Sequence, residues 1–532
     1  GLGDRLKLRP SQDHAVTLLL EHLDAYPEAT PIGWLPTGAG KSVVAAALAS
    51  ELVAAHKKAV LVVTHRRELV QQNSDKLPRH IHGSIFSAGL GKKDLSGQVI
   101  FAGIQSLAKH AHKLPRLGAI IIDEPQWATA GYFEFIEKVR EFSPRVRVIG
   151  LTATPFTGNG TWLHMQEKHR LFSGIAAEVS LAELLRDGYL SPLTPYRTGT
   201  QLNVSGVDVD RRTGDYAQAA MQAAIDIDDT NARVAAEIVS IFADRNSVLV
   251  FCGGVEHTKH MAEALRQHGE AVAVVLGNTP MKERDKLIAD FRAGRVKYLC
   301  SCEVVLVGFD ATNTDGIACL RPTMSPLIWV QLLGRGMRIH PGKEDCLVAD
   351  FTRNSEDFPP VDEIEGHPPK EKSGDTPTKM CDECFSLILA GLRICPVCGH
   401  EFEFVARERQ YDPETGLLIS GVIKEADGSK WYPVERVEYD SRVTRNGAEA
   451  IVASYFSPGR KTRVAEDWYN CWHHTPSVAN RDLMKWMKRQ LAAGPAPMNA
   501  REALARAELG GMKEPKMVKV KPGSTFAAGY RT

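Results

Sequence analysis

The sequence predicts an α/β chain. Two tandem parallel-sheet lobes come first, then a small four-cysteine knuckle and a mixed α+β module at the C-terminal end. Three observations carry this expectation. A glycine-rich loop, Pro36-Thr37-Gly38-Ala39-Gly40-Lys41-Ser42, lies between a short apolar strand and a helix of small residues. Apolar strand-like runs alternate with helical stretches in two successive series, as a doubly wound parallel sheet requires. Finally, two Cys-x2-Cys pairs stand close together beyond the second series.

At 532 residues the chain has room for three or four domains, and its 43% hydrophobic and 24% charged fractions are those of ordinary globular protein. A formal net charge of +1 excludes a globally basic molecule, so any surface for a polyanion must be local. No apolar run approaches membrane-spanning length and no signal-peptide core opens the chain, which predicts a cytoplasmic protein without a membrane partner. Of ten cysteines, six are scattered and four are clustered. That usage reads as a reducing compartment with one metal site.

The first lobe is expected over residues 1–195. Arg9-Pro10-Ser11-Gln12 opens a helix, with Pro10 suited to its first turn and Ser11 to capping. The Gln12 amide carries the donor and acceptor that an adenine edge pairs with. In the loop from Pro36 to Ser42, backbone N–H groups can close around phosphate oxygens in front of a helix N-terminus. Lys41 would reach the β- and γ-phosphates, and the Ser42 hydroxyl would sit on Mg²⁺. The strict pattern wants glycine at position 35, where this chain has Leu35. The run Val60–Val63 is a buried strand whose polar turn, Thr64-His65-Arg66-Arg67, lies where open α/β sheets place ligands. Ile100–Leu107, with Gln105, repeats the theme. Ala119–Ile122 then ends in Asp123-Glu124-Pro125-Gln126. Asp123 would hold Mg²⁺ through its hydration shell, and Glu124 would orient and deprotonate an attacking water. The hydroxyls of Thr152 and Thr154, after the next strand, could reach those carboxylates and couple them to the nucleic-acid side of the lobe.

Residues 196–232 are polar and acidic and read as a connection. The second lobe, residues 233–352, has strands at Ser247–Phe251, Ala271–Val275 and Val296–Cys300, the last leading to Gly308-Phe309-Asp310. In Gln331-Leu332-Leu333-Gly334-Arg335-Gly336-Met337-Arg338, helical spacing puts Gln331, Arg335 and Arg338 on one face. A proline-rich stretch, residues 353–380, should be an extended linker. Over 381–402, Cys381, Cys384, Cys395 and Cys398 match a closed, structural zinc site. Residues 403–532 contain strand-like runs and then interleaved aromatic and basic residues, among them Trp468, Trp472, Trp486 and Arg489. These suit either a single-strand stacking platform or a tryptophan-rich core.

The ordered set of motifs resembles the superfamily 2 helicases of the DEAD/DEAH-like group over roughly residues 5–352. Arg9 and Gln12 correspond to the Q motif, Pro36 to Ser42 to motif I, and Thr64 to Leu69 to Ia. Asp123 to Gln126 correspond to II, Thr152 to Thr154 to III, Gly308 to Asp310 to V, and Gln331 to Arg338 to VI. The knuckle resembles that of such helicases in bacteriophages and prophages. The resemblance implies two RecA-like lobes with ATP between them, and Arg335 and Arg338 reaching across to the γ-phosphate. Nucleic acid would lie across both lobes, near Thr64, His65, Arg66, Gln105, Thr152 and Thr154, gripped mainly by its backbone. The fourth residue of motif II is usually His or Asp; Gln126 keeps a hydrogen-bonding tip without charge. Val307 stands where motif V often has threonine.

The implied activity is an ATP-dependent DNA helicase or translocase using ATP, Mg²⁺ and Zn²⁺. Its partner would be single-stranded, forked or branched DNA, with replication or recombination proteins as further partners. RNA as the track, or a zinc-containing nucleic-acid-binding scaffold with a vestigial ATPase, are the rivals. Intact Lys41, Asp123, Glu124, Arg335 and Arg338 argue against the scaffold.

Overall fold

The computed structural model describes residues 6–65, 67–128, 130–168, 170–210, 213–302, 311–369, 378–380, 383, 387–389, 417–424, 428–444, 447–472, 476–489, 496–510 and 512–531. Two RecA-like parallel-sheet lobes stand in tandem, followed by a separate antiparallel module.

The first lobe is built on eight strands. Their order across the sheet is Lys92–Lys93, Gly83–Ser87, Val99–Gly103, Ala59–Thr64, Leu117–Asp123, Arg147–Thr152, Pro31–Trp34 and Gly174–Glu178. Only the short edge strand Lys92–Lys93 runs antiparallel to its neighbour. Register decides where the loops go. Thr64 lies opposite both Gly103 and Asp123, and Thr152 lies opposite Trp34. The phosphate-type loop, the basic turn, the acidic pair and the two threonines therefore all leave the sheet at one carboxyl edge, where α/β sheets bind ligands. Behind the glycine loop, the helix Lys41–His56 buries Val44 to Ala49. Its small side chains let it sit against the sheet on one side and the helix Pro10–Ala25 on the other.

The second sheet has six parallel strands in the order Val272–Val274, Tyr298–Ser301, Val248–Cys252, Gly316–Leu320, Cys346–Asp350 and Leu193–Arg197. The last of these corrects the sequence-based outline. Leu193–Arg197 pairs with Cys346–Asp350, so the expected first-lobe boundary at 195 falls inside a strand of the second sheet. The 196–232 connection carries the helix Gln218–Ile225 and the start of Asp228–Ile241, both of which bury side chains in the second lobe's core.

Residues 353–369 are not an extended linker. They form a short helix, Asn354–Asp357, and then pass back over the first lobe. There the His367 N–H donates to the Gly160 carbonyl, and the Trp162 N–H donates to the His367 carbonyl. Val361 and Ile364 are buried in the core that joins the lobes. This strap also holds the C-terminal module. Asp362 accepts hydrogen bonds from Ser420 and Gly421, and Glu363 pairs with Arg460.

The C-terminal module contains a four-stranded sheet, a three-stranded sheet and the helices Pro476–Arg489 and Ala500–Glu508. Trp486, Tyr455 and Tyr469 are fully buried in its core. Arg489 is buried among them and donates to the hydroxyls of Tyr455, Tyr469 and Tyr439. Trp472 packs on the same core. The tryptophan-rich core is therefore the reading the structure bears out for Trp486; its ring has no face left for a base. Strands Thr378–Met380 and Leu387–Leu389 pair antiparallel. Cys381, Cys384, Cys395 and Cys398 lie outside the described residues.

Candidate active site

Arg9, Thr37, Gly38, Gly40, Lys41, Ser42, Asp123 and Glu124 from the first lobe, and Gln331, Arg335 and Arg338 from the second, line one cleft. The first lobe's side is a turn that only glycine forms easily. Gly38 and Gly40 both have positive φ, at 88° and 86°. A Cβ on Gly40 would meet the Gln12 amide nitrogen at 2.3 Å. Leu35, which stands where the strict pattern has glycine, is fully buried and serves as core.

The acidic pair sits at the end of Leu117–Asp123. Glu124 is held in the left-handed region, φ 56°, a conformation that costs a non-glycine residue roughly 1–3 kcal/mol. The Glu124 N–H donates to the Leu151 carbonyl, which helps fix it there. Its carboxylate is surrounded by donors. Lys41 Nζ is 3.1 Å from Oε1, and Gln126 Nε2 donates to Oε2 at 2.7 Å. The Thr152 hydroxyl lies 2.6 Å from Gln126 Oε1 and 3.2 Å from Glu124 Oε2. Burial opposes the charge on Glu124, but Lys41, the Gln126 hydrogen bond and Arg335 together hold its pKa below the ordinary value. Asp123 moves the other way. Burial first, and the neighbouring Glu124 charge second, push it up, with Asn73 and Lys41 partly offsetting them. Two adjacent carboxyls with pKa values driven apart is an arrangement that suits an acid–base site.

The second lobe presents the helix Pro326–Gly336. Gln331 Nε2 lies 3.4 Å from the Thr154 hydroxyl across the interface. Gly334 is packed so closely on Thr37 that an added Cβ would come within 2.6 Å of the Thr37 Cβ. Arg335 is buried at the cleft and its charge is felt at Glu124. One lobe thus supplies a lysine, a hydroxyl and two carboxyls, and the other supplies two arginines.

Comparison with known proteins agrees with this division. Residues 5–157 match the family described as the type III restriction enzyme res subunit, and residues 232–340 match the helicase conserved C-terminal domain. Together the two matched domains indicate a superfamily 2 helicase. This is a class of nucleic-acid-dependent ATPases that uses ATP with Mg²⁺. A 51.5 kDa protein of a Lactococcus phage is 25% identical over 399 residues, 72% of this chain and 81% of its own length. The mitochondrial irc3 protein of Schizosaccharomyces pombe, an ATP-dependent helicase by name, is 28% identical over 360 residues. The helicase matches 65% of its own chain to that protein but spans only 57% of the relative's length, and 47% of the IRC3 protein of Saccharomyces cerevisiae. Among solved structures, a fragment described as an HsdR subunit of a type I restriction enzyme from Vibrio vulnificus shares the fold at TM-score 0.51. Its identity is 20%, and the match covers 69% of this chain and 68% of that one.

The sequence-predicted residues of this helicase fall into three groups. Arg9, Thr37, Gly38, Gly40, Lys41, Ser42, Asp123, Glu124, Gln331, Arg335 and Arg338 converge on the cleft. Ser42, Asp123 and Glu124 share that lining, and a hydroxyl beside carboxylate oxygens is a hard-oxygen donor set that fits a hydrated divalent cation. A second group is placed differently from the expectation. Gln12 turns inward: its Nε2 donates to the Ala39 carbonyl at 2.8 Å and its Oε1 accepts from the Arg9 N–H, so the amide supports the glycine loop. Arg9, not Ser11, is the N-cap residue. Thr152 reaches the Glu124 carboxylate as expected, but Thr152 and Thr154 are fully buried, the first bonded to Glu124 and Gln126 and the second to Gln331, which leaves neither hydroxyl at the surface for a nucleic acid. Thr64 is buried, His65 half-buried and Gln105 exposed, at the same carboxyl edge. Arg66, Gly308 and Asp310 lie outside the described residues and form the third group.

Sequence reasoning missed Asn73, whose Nδ2 donates to Asp123 Oδ2 at 2.9 Å, and Gln72, Trp127, Tyr189 and Thr312, which line the cleft. Tyr189 stacks under the Arg9 guanidinium at 4.5 Å. The available signal was the helical face shared by Leu69, Gln72 and Asn73.

Proposed function

We propose that this helicase is an ATP-dependent DNA helicase or translocase that works by closing its two lobes on ATP. The observation that carries the reading is the single cleft in which Lys41 and Glu124 of one lobe face Arg335 of the other. Lys41, now paired with Glu124, would exchange that carboxylate for the β- and γ-phosphates. Glu124 is then free to accept the proton of the attacking water, oriented by Gln126 and Thr152. Asp123 and Ser42 would hold magnesium through its water shell. When bound, the ion neutralises charge on the β- and γ-phosphates. Arg335 adds stabilisation as charge spreads over the γ-phosphoryl oxygens, and it does so only when the lobes close.

DNA is the proposed track because the family matched over the first lobe is a restriction-enzyme subunit. Strand contacts are proposed at His65 and Gln105, at the carboxyl edge of the first sheet, and at Arg66, with nucleotide contacts at Gly308 and Asp310. Replication, recombination or repair is the proposed setting. We further assign a structural Zn²⁺ to Cys381, Cys384, Cys395 and Cys398. Their paired spacing supports this, as does the antiparallel strand pair that flanks Cys381 and Cys384. Elemental analysis of purified protein checks the metal. ATP turnover and strand separation across single-stranded, duplex and forked DNA and RNA test the reaction. Stimulation by DNA supports the proposal. Stimulation by RNA alone overturns the choice of track, and turnover indifferent to both overturns the helicase reading.

A further inference from the structure

We infer that Asn73 is a positioning residue that holds the Asp123 carboxylate for the divalent cation. The inference rests on the reading of the cleft as a Mg–ATP site. Asn73 lies on the helix Arg67–Ser74, which follows the basic turn after Thr64. It is 1% exposed, and its Nδ2 donates to Asp123 Oδ2 at 2.9 Å, across fifty residues of sequence. Leu69 and Gln72 of the same helix face line the cleft. Asn73 is thus brought to Asp123 by the packing of this helix on the sheet and not by the local chain.

The residue type matters. Asp123 is itself 3% exposed, beside a second carboxylate, in a place where an ionised group needs hydrogen bonds to stay charged. An amide supplies a donor without adding charge. It fastens one carboxylate oxygen, fixes the plane of the group, and leaves the other oxygen to be aimed. The Asn73 Oδ1 is buried and has no hydrogen-bond partner among the described residues. A buried acceptor left open beside a carboxylate suits a site completed by donors such as cation-bound water. Leucine has nearly the same shape but no donor. Aspartate has the same shape but would place a third carboxyl against the pair.

The test measures binding of a fluorescent ADP analogue as Mg²⁺ is varied, with thermal unfolding in parallel, so that no turnover is needed. For Asn73→Leu and Asn73→Asp, nucleotide affinity in EDTA should stay within about twofold of the unmodified protein. The Mg²⁺ concentration at half-effect should rise about 10- to 100-fold, the usual cost of losing a residue that orients a metal ligand. If the leucine variant fails to fold, Asn73→Ser, which shortens the donor without charge, should show the same shift. A folded variant with an unchanged Mg²⁺ midpoint overturns the inference, as does a fall in melting temperature with no change in that midpoint. If the unmodified protein binds the nucleotide with no dependence on Mg²⁺, the reading of the cleft fails first, and the inference fails with it.

Discussion

Glu124 is where single-residue chemistry is most concentrated. Its backbone is strained, its carboxylate is largely shielded from solvent, and Lys41, Gln126 and Thr152 keep it charged and oriented. Gln126 suits this place because it is neutral at both ends, donating to Glu124 and accepting from Thr152. Gln126→Glu would set a carboxylate against Glu124, raising its pKa and turning it from its partners. ATP turnover at pH 7 should fall by about 10²-fold, within the range lost with a general base, while ATP binding stays within about twofold. The acid limb of the pH–rate profile should move to higher pH. A profile superimposable on that of the unmodified enzyme would show that Glu124 is not the base. At this scale the sequence was partly legible. Lys41, Asp123, Glu124 and Arg335 are recognisable because their spacing in local loops is what the chemistry constrains. Asn73 and Tyr189 were not, because they reach the cleft through tertiary packing that leaves no local pattern. Gln12 was recognised as important, but which way its amide turned depended on the Ala39 carbonyl, fixed only once the loop is folded.

Among the elements, the helix Pro326–Gly336 sets two preferences against each other. Alanine is favoured over glycine inside a helix by about 1 kcal/mol, yet a Cβ at 334 would strike Thr37 in the opposite lobe. Gly334→Ala should leave thermal stability unchanged or slightly raised. It should lower nucleic-acid-stimulated turnover at least tenfold, about 1.4 kcal/mol of barrier, because the lobes cannot close fully. Melting curves and turnover assays on the same preparation separate the two effects. In the C-terminal module, Trp486→Ala should cost about 3–5 kcal/mol of stability in that module. Binding of single strands by the surviving folded fraction should be unaffected, as denaturant melts with parallel binding curves would show. The aromatic and basic composition of this module was plain in the sequence, but burial was not. Arg489 looks like a surface cation until three tyrosine hydroxyls are found around it. Leu193–Arg197 escaped notice for a different reason. Pro195 reads against a strand, and it is tolerated here because the strand is the edge of its sheet.

For the whole molecule, alternation of strands with helices made both lobes legible, while the way they are tied together was not. The strap from Val361 to His367 joins the exit of the second lobe to the loop after Thr154, and on its other side to the C-terminal module. Its proline-rich composition suggested a free linker; backbone pairing at Gly160 and Trp162 docks it instead. The lobes meet over a cleft lined from both sides, and the proposed ATPase site is shared between them. The most direct measurement of that claim is ATP turnover by Arg335→Ala at saturating ATP and single-stranded DNA, compared with Lys41→Ala. Removing an arginine that acts only on lobe closure should cost on the order of 10³–10⁵ in stimulated rate. ATP binding should remain within about tenfold, near 1.4 kcal/mol, and DNA binding should be retained. Lys41→Ala should damage ATP binding and turnover together. Stimulated turnover by Arg335→Ala close to the unmodified rate would contradict a site shared between the two lobes.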